Sequence, residues 1–134
     1  MPLGMESARR QLPAHLRAFL YSCIDSIEQL DVLMLLRISG EPWVAREVAK
    51  EVGLSDARAR AYLDALSARG LVHAVVRSEI TYTFRPSSDT LRKYTDELAE
   101  ALDSSRAEVL RFVAALPPSS VRSFANAFKL RDSE

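Results

Sequence analysis

The sequence predicts a mainly α-helical domain with one small β-hairpin, an α+β fold. Apolar residues recur at steps of three and four in several separate stretches, which is the period of helices that bury one face. Residues 71 to 85 instead show alternation and many β-branched side chains, which is typical of strands. The 134 residues are enough for one domain with a hydrophobic core of its own.

The N-terminal part of the chain predicts a disordered segment followed by a helix. Residues 1 to 13 show no apolar period, so we expect them to be disordered. Pro13 suits the first turn of a helix. An apolar stripe follows it and predicts a leading helix over residues 14 to 24, packed on the domain or on a second subunit.

The next segment predicts the central helix of the domain. Ser26, with Gln29 three residues later, forms a capping-box pattern at the start of a helix over residues 26 to 38. That helix is apolar on most faces, which indicates burial on most faces. Residues 39 to 42 break the chain, and Trp43 is expected to anchor the first helices to the segment that follows.

Residues 43 to 70 predict two helices joined by a tight turn. The first is short and ends at Gly53, which supplies the backbone freedom that such a turn demands. Ser55 is a good N-cap for the second helix, with Asp56 in its first turn. The second helix is predicted over about residues 55 to 69. Three apolar residues share its inner face: Ala59, Leu63 and Leu66.

The strand-like stretch at residues 71 to 85 predicts a short hairpin. Its turn falls near Ser78 and Glu79, where no glycine is present. The alternating positions of the two strands are Val72, Ala74 and Val76, then Ile80, Tyr82 and Phe84. Helix, tight turn, helix and hairpin together are the layout of a winged helix-turn-helix, predicted here over residues 14 to 86 with its leading helix.

This stretch resembles the bacterial winged-helix transcription regulators of the broad MarR- and PadR-like grouping. The residues that carry the resemblance are Glu47-Val48-Ala49, Gly53-Leu54-Ser55 and Leu63-x-x-Leu66-x-x-x-Gly70-Leu71-Val72. The resemblance covers the middle of the chain well and its flanks only by general layout. It implies a winged-helix fold and a role in transcription regulation through binding of double-stranded DNA.

In helix-turn-helix proteins the N-terminal part of the second helix enters the major groove. Arg58 and Arg60 are therefore predicted to contact bases or phosphates, because the arginine fork suits guanine. Ser55 is predicted to be a backbone anchor, whereas Asp56 argues against DNA contact because its carboxylate repels phosphate. The complete set of predicted DNA-binding residues is Ser55, Arg58, Arg60, Arg46, Lys50 and Arg77.

The C-terminal region, residues 87 to 134, is predicted to form one long helix, a short last helix and a dimerisation surface. An unbroken stripe up to Pro117 predicts a helix of about 28 residues, roughly 40 Å long. We expect a homodimer, because a winged-helix core cannot cover so long a stripe. The alternative is that the helix folds back onto residues 14 to 38 of its own chain. The predicted dimerisation residues are Leu91, Tyr94, Leu98, Leu102, Val109, Phe112 and Leu116.

The charge balance leaves two functions open. The chain has 18 basic and 18 acidic residues, and residues 26 to 86 also carry equal numbers of each. A dedicated DNA-binding protein often shows a basic excess. The first interpretation is a dimeric DNA-binding transcription regulator. The alternative is a winged-helix protein–protein interaction module that does not bind DNA and uses the same surface for a protein partner.

No pattern in the sequence indicates catalysis, so we expect a protein that is not an enzyme and needs no cofactor or metal. Phosphate-binding glycine loops, paired histidines and metal-ligand spacings are missing from the sequence. Cys23 is expected to be a buried free thiol and His73 an exposed strand residue. No apolar run approaches the length of about 20 residues that spans a bilayer, and no signal peptide opens the chain. We therefore expect a cytoplasmic protein without a membrane partner.

Overall fold

The computed structural model describes residues 12–118, which form six helices and a three-stranded antiparallel sheet. The helices are α1 (Ala14–Cys23), α2 (Ile27–Ser39), α3 (Ala45–Val52), α4 (Asp56–Ala68), α5 (Asp89–Ser104) and α6 (Arg106–Ala114). The strands are β1 (Trp43–Val44), β2 (Val72–Val76) and β3 (Ile80–Phe84). The predicted α+β fold, with its helix-turn-helix and hairpin, is confirmed.

Serine side chains fix the starts of three helices. The hydroxyl oxygens of Ser26, Ser55 and Ser88 each accept a backbone hydrogen bond. The donors are the N–H groups of Gln29, Arg58 and Leu91, each 3.1 Å away. Such caps satisfy donors that a helix start leaves free, and the sequence marks the starts at Ser26 and Ser55 correctly.

The tight turn between α3 and α4 is built on Gly53. Its φ of 84° lies in the left-handed region, which glycine adopts without the steric cost of a Cβ. Its N–H donates to the Ala49 carbonyl at 2.8 Å and closes α3. Two residues later Ser55 caps α4, so the two helices of the motif are set at a fixed angle by a very short connection.

Helix α2 lies at the centre of the domain, as predicted. Four of its apolar side chains are almost fully buried: Leu30, Val32, Leu33 and Leu36. It packs against α3, α4, α6 and β3. Burial of these side chains against helices and the sheet contributes to the hydrophobic stabilisation of the domain.

The sheet has the order β1-β3-β2. The predicted hairpin pairs Val72 with Phe84 and Val76 with Ile80. The two-residue strand β1, which was not predicted, adds Trp43 opposite Tyr82. The Trp43 ring is half-buried against the core and its Nε1–H donates to Ser39 Oγ at 2.8 Å, in agreement with an anchoring role.

The prediction of one continuous helix after residue 88 is wrong. Helix α5 ends at Ser104, and Ser105 leaves helical geometry with φ −142° and ψ 43°. The Ser105 carbonyl then accepts from the Val109 N–H at 3.2 Å and starts α6. Helix α6 packs against α1, α2 and α5, so this half of the stripe adopts the alternative, a fold-back within one chain.

The physical reason for this error is that the apolar period survives the break. Val109 and Val113 keep the spacing of the stripe, yet they are buried beneath α6 against the preceding helices. Serine competes with helical backbone bonds, and two consecutive serines at Ser104 and Ser105 weaken the helix without the clear signal of glycine or proline.

Near the N-terminus, Leu12 is buried and belongs to the hydrophobic core, so the prediction of disorder is wrong at this residue. Leu12 stands four residues before the buried Leu16 and so continues the apolar spacing of α1, but it precedes Pro13 and so falls in the polar segment before the predicted helix. Residues 1–11 and 119–134 lie outside the described residues, and the predicted short last helix falls there. Among residues 12–118, no helix is long and apolar enough to cross a membrane.

Candidate nucleic-acid interface

Helix α4 presents one apolar and one polar face, in the orientation that the sequence predicts. Ala59, Leu63 and Leu66 are fully buried beneath it. Its outer face is exposed over the first two turns and carries Ser55, Asp56, Ala57, Arg58, Arg60 and Ala61. This exposed N-terminal half combines two arginines with small side chains, and an incoming groove would meet it first.

A buried tyrosine ties the middle of α4 to the sheet. Tyr82 on β3 is 1% exposed, and its hydroxyl donates to Asp64 Oδ1 at 2.6 Å. Burial, reinforced by the hydrogen bond to Asp64, raises the pKa of Tyr82 to about 12. Asp64 also lies 3.8 Å from Arg60 Nε, so one carboxylate joins the inner anchor of α4 to its outer face.

The C-terminal end of α4 is fixed by Arg69, which reaches the turn between α1 and α2. Its Nη1 donates to the Cys23 carbonyl at 2.7 Å, and its Nη2 donates to Asp25 Oδ1 at 3.0 Å. The Arg69 and Asp25 side chains are only 26% and 19% exposed. Sequence reasoning missed this contact because the partners are more than forty positions apart.

Gln29 completes the same network from within α2. It is fully buried, its Nε2–H donates to the Tyr62 carbonyl at 3.3 Å, and its Oε1 accepts from the Asp25 N–H at 2.6 Å. The predicted capping box is therefore half realised, since Ser26 caps Gln29 while the Gln29 side chain bonds Asp25 instead of Ser26. Buried polar groups that are satisfied in this way rigidify the helix they hold.

Three of the predicted DNA-contacting arginines are paired with carboxylates. Arg46 Nη1 lies 2.6 Å from Glu79 Oε1, and Arg58 Nη1 lies 3.3 Å from Glu28 Oε1. With the Arg60–Asp64 pair, all six side chains are between 43% and 63% exposed. The hydrogen bond to Glu79 raises the pKa of Arg46. Only the Arg60–Asp64 pair, four residues apart, could be found from sequence spacing.

The other two predicted cations, Lys50 on α3 and Arg77 at the end of β2, are exposed. Neither makes an ion pair with a carboxylate of residues 12–118. The Arg77 backbone N–H donates to the Glu79 carbonyl at 3.0 Å, which closes the hairpin turn. The arginine side chain at the hairpin tip therefore extends from a well-defined backbone.

An open cleft of about 470 Å³ lies where α3, α4 and the hairpin converge. Its lining includes both members of the Arg46–Glu79 pair together with Asp56 and Arg60. The remaining lining residues are Val44, Ala45, Ala57, Ile80 and Tyr82. The cleft brings together residues from β1, α3, α4 and the hairpin, which the sequence could place only separately.

The predicted dimerisation residues fall into two groups. Leu98 and Val109 are fully buried within the chain, so they present no surface to a second subunit. The half-buried remainder pack against the same core: Leu91, Tyr94, Leu102, Phe112 and Leu116. The Tyr94 ring also contacts Phe19 of α1 edge-on, with centroids 5.9 Å apart.

The structure shows no cluster of three metal-ligating side chains among residues 12–118. Cys23 is a free, buried thiol whose pKa is raised by burial. His73 is exposed on β2, as predicted. His15 Nε2 lies 2.6 Å from Glu97 Oε2 and links α1 to α5 at the surface.

No family model matches this chain, and no curated protein matches it. Among solved structures, a MarR-family transcriptional regulator from Rhodococcus sp. RHA1 is 18% identical, with 95% of this chain and 86% of that chain covered and a TM-score of 0.53. A mutant of MarR from E. coli is 14% identical, with 96% and 95% covered and a TM-score of 0.51. NolR from Sinorhizobium fredii is 27% identical, with 75% and 94% covered and a TM-score of 0.49.

The two MarR structures span nearly the whole of this chain and share its fold. The predicted MarR-like winged-helix fold is therefore confirmed. At these identities the likeness concerns the fold, so the individual DNA contacts and a dimer through the half-buried C-terminal residues stay predictions.

Proposed function

We propose that this protein is a DNA-binding transcription regulator that acts as a homodimer and uses α4 as its recognition helix. The observation that carries the proposal is the exposed N-terminal half of α4, held rigidly from beneath by Tyr82 and at its end by Arg69. A recognition helix has to be presented at a fixed angle, and these contacts supply that rigidity.

The side chains around α4 suit the surface of duplex DNA. Arg58 and Arg60 project from its first two turns, where a recognition helix meets base edges. The small side chains of Ala57 and Ala61 permit close approach to a groove. Arg46 and Lys50 on α3 and Arg77 at the hairpin tip flank the helix, as phosphate contacts on either side of a groove would require.

The structural likeness supports the same function. The Rhodococcus neighbour is described as a transcriptional regulator of the MarR family. A fold alone hosts several functions, so the proposal rests on the residues of α4 and takes the likeness as support.

The dimer is proposed because two recognition helices can then meet successive major grooves of one duplex. Half-buried apolar side chains on α5 and α6 support a surface within residues 87–118 that a second copy could cover. The length of the C-terminal stripe no longer supports it, since α6 folds back on its own chain. The mass of the protein in solution tests this part independently of DNA.

The test of DNA binding is a salt series with a random-sequence duplex and the purified chain. Phosphate contacts release counterions, so affinity should fall steeply as salt rises. We expect Arg58→Ala and Arg60→Ala each to reduce affinity and flatten the salt dependence. Arg106→Ala is the matched control, because Arg106 is an exposed arginine on α6, outside the proposed surface.

Equal losses in all three variants would show that net charge, and not α4, governs binding. A protein with no affinity for the duplex at low salt, in wild-type and variant form, would overturn the DNA-binding proposal. The same exposed surface would then be examined for a protein partner.

A further inference from the structure

Each arginine expected to reach DNA from α3 and α4 is already paired with a carboxylate of the protein itself, and Arg46 and Arg58 are also hydrogen-bonded to theirs. We propose that Glu79 and Glu28 are positioning residues that hold Arg46 and Arg58 on the protein surface and thereby weaken DNA binding. This inference rests on the proposed function. It adds that two carboxylates of the protein compete with DNA for arginines of the proposed binding surface.

The Arg46–Glu79 pair joins α3 to the hairpin turn, two elements that would lie on either side of the DNA backbone in the proposed complex. Arg46 lies in the first turn of α3 and Glu79 in the hairpin turn, with 2.6 Å between Nη1 and Oε1. The bond is short and charge-assisted, but both side chains are at least half exposed, so its net contribution is small and the pair can open. Asp56 lines the same cleft, so the guanidinium lies among carboxylates before any phosphate arrives.

The Arg58–Glu28 pair has a partner that is held in place independently. Glu28, in the first turn of α2, accepts the Tyr62 hydroxyl at 2.8 Å as well as Arg58 Nη1 at 3.3 Å. Its carboxylate therefore stays in position whether or not Arg58 leaves. When DNA binds, its phosphates have to displace Arg58 from Glu28, and the Glu28 carboxylate stays in place and can form the pair again.

Competition follows from the chemistry of the two anions. A guanidinium offers planar donors that suit carboxylate and phosphate alike. The carboxylates of the protein and the phosphates of DNA therefore compete for the same arginine side chains. Because both pairs are exposed, each is weak enough to be broken on binding.

The fold itself does not need these two pairs. The core is built from apolar side chains beneath α4, and the rigid polar contacts of that helix are made by Tyr82 and Arg69. Neutralisation of Glu79 or Glu28 by glutamine, which at position 28 still accepts the Tyr62 hydroxyl, should therefore leave the structure intact and change only the state of the arginines.

The test compares three variants that each remove one negative charge: Glu79→Gln, Glu28→Gln and Glu51→Gln. Glu51 is the matched control, because it is exposed on α3 near the same surface and forms no ion pair within residues 12–118. Glutamine keeps the size of the side chain and still accepts the Tyr62 hydroxyl. At low salt we expect Glu79→Gln and Glu28→Gln each to bind duplex about two- to fivefold more tightly than Glu51→Gln, the range of exposed ion pairs.

A double-mutant cycle separates release of the arginine from simple charge removal. In an Arg46→Ala background, Glu79→Gln should bind no more tightly than Glu51→Gln in the same background, because there is no guanidinium to release. Thermal unfolding of each variant confirms that the compared proteins are folded.

The outcomes distinguish this inference from the proposed function. If the wild type binds duplex and Glu79→Gln and Glu28→Gln gain no more than Glu51→Gln, the inference is overturned and the function stands. An unchanged gain from Glu79→Gln in the Arg46→Ala background also overturns it for that pair. If neither the wild type nor any variant binds at low salt, the proposed function fails and the inference fails with it.

Discussion

The two ends of α4 are both tied to the start of α2 by arginines, yet the two ties differ in burial. At the C-terminal end, Arg69 bonds Asp25, and both side chains are about three-quarters buried or more. At the N-terminal end, Arg58 bonds Glu28 with side chains 59% and 43% exposed. An arginine–carboxylate pair is therefore a mostly buried structural contact at the C-terminal end of α4, and an exposed, exchangeable contact at its N-terminal end.

Solvent explains the difference. Removal of one member of a desolvated pair leaves a charge that water cannot easily reach, whereas an exposed group simply rehydrates. A regulator of the proposed kind needs both properties, since its recognition helix has to stay in place while its outer side chains change partners.

The largest expected loss of stability follows from removal of the mostly buried Arg69–Asp25 pair. Arg69→Met should lower the free energy of unfolding by about 2–3 kcal/mol, because Asp25 loses its arginine and the Cys23 carbonyl loses a donor. Urea denaturation followed by circular dichroism measures the change. Arg58→Met is the matched control, and equal losses in the two variants would contradict the distinction between the ends.

A smaller effect is expected in the middle of the helix. Tyr82→Phe removes the hydrogen bond to Asp64 and should cost about 1 kcal/mol, since the exposed carboxylate of Asp64 can bind water instead. The same urea series measures it. A cost as large as that of Arg69→Met would show that the exposed end of the Tyr82–Asp64 contact matters as much as the buried Arg69–Asp25 pair, and would contradict the ranking.

Tyr82 also gives the protein a specific response to alkaline pH. Its pKa is raised to about 12 in the folded state, above the ordinary value of about 10 in an unfolded chain. Ionisation of the Tyr82 hydroxyl therefore favours unfolding. Its contribution to the free energy of unfolding is complete below about pH 10 and is lost as pH rises toward 12. Ultraviolet titration of tyrosinate should show a late-ionising component that disappears in Tyr82→Phe; its persistence would contradict the assignment.

The smallest effect on stability is expected at the exposed end. Arg58→Ala should change the free energy of unfolding by no more than about 1 kcal/mol, because exposed ion pairs contribute little. The same variant should lose affinity for duplex DNA. A large loss of stability would indicate that the Arg58–Glu28 pair is structural and would weaken the case for exchange with phosphate.

The local signals of the sequence predicted most of the fold. Gly53 and Ser55 marked the tight turn and the start of α4, and the spacing of Ala59, Leu63 and Leu66 oriented that helix correctly. The alternation in residues 71 to 85 predicted the hairpin. Each of these features depends on neighbours within a few positions, which is why one sequence suffices to find them.

Features that depend on distant neighbours were missed. Strand β1 has only two residues and is a strand only because it pairs with β3. The pairs made by Arg46, Arg58 and Arg69 join residues 30 or more positions apart, and nothing in their local sequence selects one carboxylate over another. The exposed cations of the candidate site could therefore be predicted, but among their partners only Asp64, four residues from Arg60, lies within reach of a local pattern.

The most direct test of the central claim is a map of amide chemical-shift changes by NMR when a random-sequence duplex is added at low salt. We expect the changes to concentrate in the first two turns of α4, the start of α3 and the hairpin turn, with α5 and α6 largely unaffected. Changes confined to α5 and α6, with the amides of Arg58 and Arg60 unmoved, would contradict the proposed interface.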